Sequence, residues 1–156
     1  MKNQMFYPAL FLFALLFVSN ALSAQKLEYK EGRYYKNDML YTGRHIEYYE
    51  NGQPKVERNI KNGIENGLVI IYSEDGKKRE QRSYKEGLKN GEWIKWNENG
   101  TKTAVAHYLN DKKNGDWFIW NSDGVLLYEM HYKNGKKTGT WKMYNDRGKL
   151  TDERKY

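Results

Sequence analysis

From about Gly43 onward, short runs of alternating apolar and polar residues are separated by polar breaks dense in glycine and asparagine. "GEWIKW", "TAVAHYL", "GDWFIW" and "LLYEMHY" are each six to seven residues long and rich in aromatic residues. A helical seam needs apolar residues at three- and four-residue spacing sustained over ten or more positions, so these runs predict strands. On a strand, Trp93 and Trp96 point to opposite sides of the sheet. The pattern therefore predicts a sheet with large aromatic rings on both faces.

The breaks recur with a period of 24 residues. Gly43, Gly67, Gly91, Gly115 and Gly139 form one series, and Gly52, Gly76, Gly100, Gly124 and Gly148 a second; a third, Gly63, Gly87 and Gly135, is interrupted by Asp111. Other columns keep the same phase: His45, Val69, Trp93, Trp117 and Trp141; Tyr48, Tyr72, Trp96, Trp120 and Tyr144; and Ile60, Tyr84, Tyr108, Tyr132 and Tyr156. Repeats of this length mark stacked supersecondary units. Each of the five units, spanning 37–156, contains two turn signals and is read as a β-hairpin. The expected fold is all-β: an elongated single-layer antiparallel sheet of tandem β-hairpins with about ten strands.

Asn-Gly and Asp-Gly in "ENG", "EDG" and "SDG" predict two-residue turns in which both central residues have positive φ. Centring such a turn on Asn99-Gly100 pairs Trp96 with Thr103, Ile94 with Val105, Trp93 with Ala106 and Gly91 with Tyr108. Tyr108 then lies across Gly91 and covers strand backbone that lacks a side chain. Trp93, Trp117 and Trp141 are expected to stack along one face, and Tyr72, Trp96, Trp120 and Tyr144 along the other.

Composition adds to this picture. Mean hydropathy is −1.02, yet aromatic residues make up 15% of the chain, a combination that argues against disorder. Stability must then come from rings rather than aliphatic bulk. Residues 1–24 differ: "MKNQ", the apolar run "MFYPALFLFALLFV" and the small residues of "SNALSAQ" read as a secretory signal peptide cut after Ser23 or Ala24, with an uncleaved anchor as the rival. Residues 25–36 read as a lead-in strand or partial repeat. There is no cysteine, so no disulfide framework exists. The formal charge of +7 favours acidic partners, and export turns that preference from nucleic acid toward proteins, acidic glycans or a membrane surface.

The units "GEWIKWNENGTKTAVAHYLNDKKNGDWFIWNSDG" and "YKNGKKTGTWKMYNDRG" resemble the MORN-repeat-variant family in their order of Tyr, Asn-Gly, a basic pair, Gly, two aromatics and a closing Gly. The resemblance covers residues 37 to 156. It implies a twisted single-layer chain of hairpins that serves to bind or scaffold proteins, in some members in connection with membranes. It also implies kinship with YwqK-type antitoxins, from which this chain departs in its apparent export signal.

Candidate sites follow from the register. Ile94, Trp96, Val105, Phe118, Trp120 and Leu127 share one face, an apolar patch that suits a partner surface or a covering element such as residues 25–36. Ile94, Trp96, Phe118 and Trp120 are the expected contacts, with Lys112 and Lys113 as peripheral charges. Lys77, Lys78, Arg79, Lys136 and Lys137 also lie in or beside turns, where they guard against edge pairing or steer an acidic partner. His107 and His131 stand about 10 Å apart on alternate strands, too far to share one zinc, and face Glu92 and Asp116 as polar pairs. No catalytic constellation, cofactor or metal is expected. The favoured reading is a non-enzymatic, exported (periplasmic or secreted) module that binds another protein. A toxin is the partner if the chain is an antitoxin, and a glycan if the tryptophans stack on sugars. The charged last strand "KLTDERKY" leaves a homodimer by edge pairing open.

Overall fold

The computed structural model describes residues 27–156; the signal-peptide reading of residues 1–24 lies outside the described residues. The strands are β1 (Glu28–Lys30), β2 (Arg33–Lys36), β3 (Met39–Leu40), β4 (Gly43–Tyr48), β5 (Pro54–Lys61), β6 (Ile64–Tyr72), β7 (Lys78–Lys85), β8 (Leu88–Lys89), β9 (Gly91–Trp96), β10 (Lys102–Leu109), β11 (Lys112–Lys113), β12 (Gly115–Trp120), β13 (Leu126–Lys133), β14 (Lys136–Tyr144) and β15 (Leu150–Lys155). All pairings are antiparallel. Ten strands from β4 to β15 lie side by side in chain order, with β8 and β11 paired onto β7 and β10, in an open sheet that does not close into a barrel. The expected all-β sheet of tandem hairpins is therefore the observed one.

Two kinds of turn alternate along it, and their chemistry is the reverse of the expected one. The two-residue turns in which both residues have positive φ are Asn62-Gly63, Glu86-Gly87, Asn110-Asp111 and Asn134-Gly135. They join the pairs Lys61/Ile64, Lys85/Leu88, Leu109/Lys112 and Lys133/Lys136. Asp111 fills the interrupted glycine series because Asp tolerates the left-handed region, here at φ 64°. The second residue of each turn donates its backbone N–H to the preceding unit: Gly63 to Tyr41 O, Gly87 to Glu65 O, Asp111 to Lys89 O and Gly135 to Lys113 O.

At the other rim, Asn99 is not left-handed. The turn runs from Asn97 to Thr101: Asn97 N donates to Thr101 O, Gly100 N donates to Asn97 O, and only Gly100 takes positive φ, 82°. The Asn97 side chain accepts from the backbone N–H groups of Asn99 and Thr101. Asn121 and Asn145 do the same in the next units. This three-residue loop slips the register by one, so Trp96 pairs with Lys102 and not with Thr103. Thr103 is bulged out, and the bulge restores the expected pairs Val105/Ile94, Ala106/Trp93 and Tyr108/Gly91. The same slip and recovery occurs at Tyr48, Tyr72, Trp120 and Tyr144. Loop and bulge cancel, which keeps every side chain on the face that the simpler register assigned.

The first glycine series marks a second irregularity. Strand pairing shifts between Arg58 and Ile60 opposite β6, and between Glu129 and His131 opposite β14. Gly67, Gly91, Gly115 and Gly139 lie there with positive φ. A Cβ on Gly91 would meet Ser83 Oγ at 3.0 Å, and one on Gly115 would meet His107 Cβ at 3.3 Å. Close approach by the preceding strand therefore demands glycine in addition to backbone conformation. Tyr108 does pair with Gly91, but the atoms nearest the missing side chain belong to Ser83, and the Tyr108 ring turns to its aromatic neighbours. The expected covering of glycine by tyrosine is replaced by this arrangement.

Strands β1 to β3 form a separate small sheet docked at the start of the array. Tyr34 N donates to Gly63 O, and the Tyr34 hydroxyl donates to Glu65 Oε1. Residues 28–40 thus lie against the first units and not over Trp96 and Trp120, so they are not the cover considered for that patch. Gly91→Ala should cost about 2 kcal/mol or more, combining left-handed strain with the Ser83 contact, whereas Gly100→Ala, with open space around its α-carbon, should cost only the strain, about 1 kcal/mol. Urea unfolding of the two variants checks the order.

Candidate binding faces

Strand alternation gives the sheet two faces of different chemistry. One carries a continuous aromatic column. Its rings alternate Tyr84, Trp93, Tyr108, Trp117, Tyr132, Trp141 and Tyr156, with successive centroids 5.5, 5.1, 5.2, 5.2, 5.1 and 4.8 Å apart. Interplanar angles of 53–62° bring ring edges toward ring faces, the arrangement favoured by the aromatic quadrupole. The expected tryptophan ladder is thus intercalated: each Trp touches a Tyr from either neighbouring strand. Each indole also donates to a backbone carbonyl, Trp93 to Ser83, Trp117 to His107 and Trp141 to His131, at 3.0–3.1 Å. Satisfying that N–H allows the rings to be half-buried without a second layer.

Lysines complete the column. Lys89 Nζ lies 4.9 Å from the Trp93 centroid and 5.2 Å from that of Tyr108; Lys113 lies 4.3 and 4.7 Å from Trp117 and Tyr132; Lys137 lies 4.4 and 4.7 Å from Trp141 and Tyr156. Lys113 and Lys137 also donate to the hydroxyls of Tyr132 and Tyr156. Such contacts are cation–π in kind and hold the ammonium in place. In the earlier units the column gives way to Ile60 and Val69, and Glu65 stands where Lys89 stands one unit later. Glu65 there meets Arg58 and the Tyr34 hydroxyl.

Between Trp93 and Trp117 this face holds a depression of about 240 Å3. Alternation along the strands sets Ala104 and Ala106 at its floor, Trp93, Tyr108, Trp117 and Ile119 at its walls, and Glu80 and Lys95 at one end. The depression exists because two alanines leave space beside the rings of Trp93, Tyr108 and Trp117. Burial opposes ionisation of Glu80, but the Arg82 guanidinium and Lys95 outweigh it and hold the carboxyl below its usual range.

The opposite face carries the apolar patch. Val105 stands opposite Ile94 on one side and Phe118 on the other. Ile94 and Val105 are 7% and 8% exposed; with Val56, Ile60 and Val69 they are the only buried hydrophobic residues among those described. Ile94 is thus a core position with little surface to offer. Trp96, Phe118 and Trp120 are half-buried, with the Phe118 and Trp120 rings 5.7 Å apart. Leu127 is the bulge residue opposite Trp120. Lys112 is exposed at the rim, whereas Lys113 belongs to the aromatic column on the other face, so the two are not joint neighbours of one patch.

The other charges sort by rim. Lys77 pairs with Asp75 and Arg79 with Glu98 at the Asn97 end of the sheet. Lys112, Lys113, Lys136 and Lys137 sit at the opposite end. His107 and His131 stand across from Glu92 and Asp116 as the register required, and His131 Nδ1 lies 2.7 Å from Asp116 Oδ1. Sequence reasoning missed the lysines over the rings and the carbonyl acceptors of the indoles. The signal was present in the 24-residue recurrence of Lys89, Lys113 and Lys137, four residues before each tryptophan.

Three segments of the chain, residues 41–62, 65–86 and 113–134, match the family model described as MORN repeat variant. These segments carry the MORN repeat. They start in phase with the 24-residue period, and each runs through a hairpin to the first residue of a left-handed turn. The unit between the second and third matches keeps the same geometry, Asn110-Asp111 included, although the family model does not match it. None of the curated proteins compared matches the chain.

Burial pushes the Tyr84 and Tyr108 hydroxyls above the ordinary tyrosine value, with the nearby Glu65 charge adding to the effect at Tyr84. A raised folded-state value means that the native state holds its protons longer, so this contribution to stability is present below about pH 10 and is lost as pH rises through the folded value. Alkaline titration followed by tyrosinate absorbance should show part of the tyrosines ionising late, together with loss of near-ultraviolet circular dichroism. Tyr108→Phe should remove part of that late component.

Proposed function

We propose that the chain is an exported, non-enzymatic repeat protein that acts as a protein-binding or scaffolding module at the cell envelope. Matches to the MORN repeat variant support the binding or scaffolding role in general. Export rests on the leader-like residues 1–24. The observation that carries the choice of face is the half-buried group Trp96, Phe118 and Trp120 around the buried Ile94/Val105 pair, which no second layer covers among the described residues. Clustered aromatic anchors around a rigid centre are the composition that protein interfaces favour.

The test is affinity capture from envelope extract with the wild type and the Trp96→Ala/Trp120→Ala variant, after circular dichroism has shown the variant folded. The expected outcome is loss of one or more proteins from the captured set; an unchanged set would remove this face from consideration. A second reading, as an antitoxin or immunity-like protein, is supported by the resemblance of the tandem units to YwqK-type antitoxins. It requires a stoichiometric toxin partner, and restored growth when the two are co-expressed is its readout.

A further inference from the structure

The rim formed by the left-handed turns is basic, and no ion pair among the described residues neutralises its lysines. From Lys85 to Lys155 it carries Lys85, Lys89, Lys112, Lys113, Lys133, Lys136, Lys137 and Lys155 against the carboxylates of Glu86 and Asp111. None of these lysines forms a salt bridge among the described residues. Elsewhere in the sheet Lys77, Arg79, Arg82, Lys95 and Lys142 are paired, whereas Lys55, Lys78, Lys102, Arg147 and Lys149 form no salt bridge but do not line up over a column of aromatic rings as Lys89, Lys113 and Lys137 do. Asp111 is occupied locally, accepting from Lys89 N.

Three of the unpaired ammonium groups are fixed by the rings beneath them. Lys89, Lys113 and Lys137 recur on every second strand, which sets them about 10 Å apart in a row of roughly 19 Å. Lys89 and Lys113 lie over the rings of Trp93, Tyr108 and Trp117 that wall the depression floored by Ala104 and Ala106, and Lys137 continues the row over Trp141. Regularly spaced cations next to aromatic walls suit a ligand that repeats an anionic group along its length and has apolar C–H surface between the charges. We propose that this face of the last three units binds a linear acidic polysaccharide, its carboxylates on Lys89, Lys113 and Lys137 and a sugar ring in the Trp93–Trp117 depression. Lys112, Lys133 and Lys136 add long-range attraction. Glu65 in the place of a lysine ends the row toward the N-terminus, so the site spans the units from Lys89 onward. The inference uses the face opposite Trp96 and Trp120 and stands independently of the protein-binding reading.

Retention of the full chain on immobilised alginate, a linear polyuronate, tests it, with neutral dextran as the control. Binding should be absent on dextran and should weaken steeply with added salt, as expected for paired charges. The Lys113→Gln/Lys137→Gln variant should bind alginate about tenfold more weakly. Should that variant fail to fold, Lys112→Gln/Lys136→Gln, whose side chains lie outside the column, should still show a several-fold loss. Lys77→Gln/Lys78→Gln at the opposite rim and Trp96→Ala/Trp120→Ala on the opposite face should bind as the wild type does. Absence of retention at low salt, an equal loss in the opposite-rim variant, or preference for poly-glutamate or phosphatidylglycerol vesicles over alginate would overturn the proposal. Loss of protein capture without loss of alginate binding, or the reverse, separates the two sites.

Discussion

A sheet one layer thick has no interior, and everything else in this protein follows from how it manages without one. In a two-layer fold, a strand buries its apolar face against a second element. Here each strand can bury side chains only against those of its neighbours. The intercalated Tyr–Trp column solves the problem with large rings, because a ring can cover its neighbour laterally where an aliphatic side chain cannot reach. Trp93, Trp117 and Trp141 each touch tyrosines on both sides and place their polar N–H on a backbone carbonyl. Lysine stems and ammonium groups close the column toward water.

The backbone is adjusted to serve that column. Rings stack only if Tyr108 and its counterparts return to the same face in every unit, and a three-residue loop alone would send them to the other side. A one-residue bulge after each loop, such as Thr103, corrects the slip. Glycine at the second irregularity lets the preceding strand approach closely, with Ser83 or His107 where a Cβ would stand. The second residues of the left-handed turns then tie each hairpin to the one before it. Periodicity in the sequence is therefore periodicity of corrections as much as of side chains.

The two faces that result differ in what they can offer. Trp96, Phe118 and Trp120 surround a small buried centre and suit a partner with apolar surface. The column face presents fixed positive charge beside a shallow aromatic depression. The N-terminal sheet, β1 to β3, docks at Gly63 and Glu65 and leaves both regions open among the described residues. A thin repeat sheet can thus present two chemistries back to back, and its last three units carry Trp93, Trp117 and Trp141 with Lys89, Lys113 and Lys137 where the first two have His45 and Val69 with Tyr41 and Glu65.

The sequence by itself determined the repeat, the hairpin unit, the antiparallel order and the face of nearly every side chain, because period-24 columns and period-2 alternation are local properties that survive any compensated slip. The histidine–carboxylate pairs were legible for the same reason. It did not determine which turn was which: Asn99-Gly100 and Asn62-Gly63 look alike as dipeptides, and the difference lies in Asn97, whose side chain caps the longer loop. Nor did it separate Lys112 from Lys113, adjacent in the chain but on opposite sides of the sheet. Only the tertiary structure decided that Ile94 is core, that the tryptophans stack through tyrosines, and that Lys89, Lys113 and Lys137 sit over those rings, since each of these depends on atoms brought together from neighbouring strands.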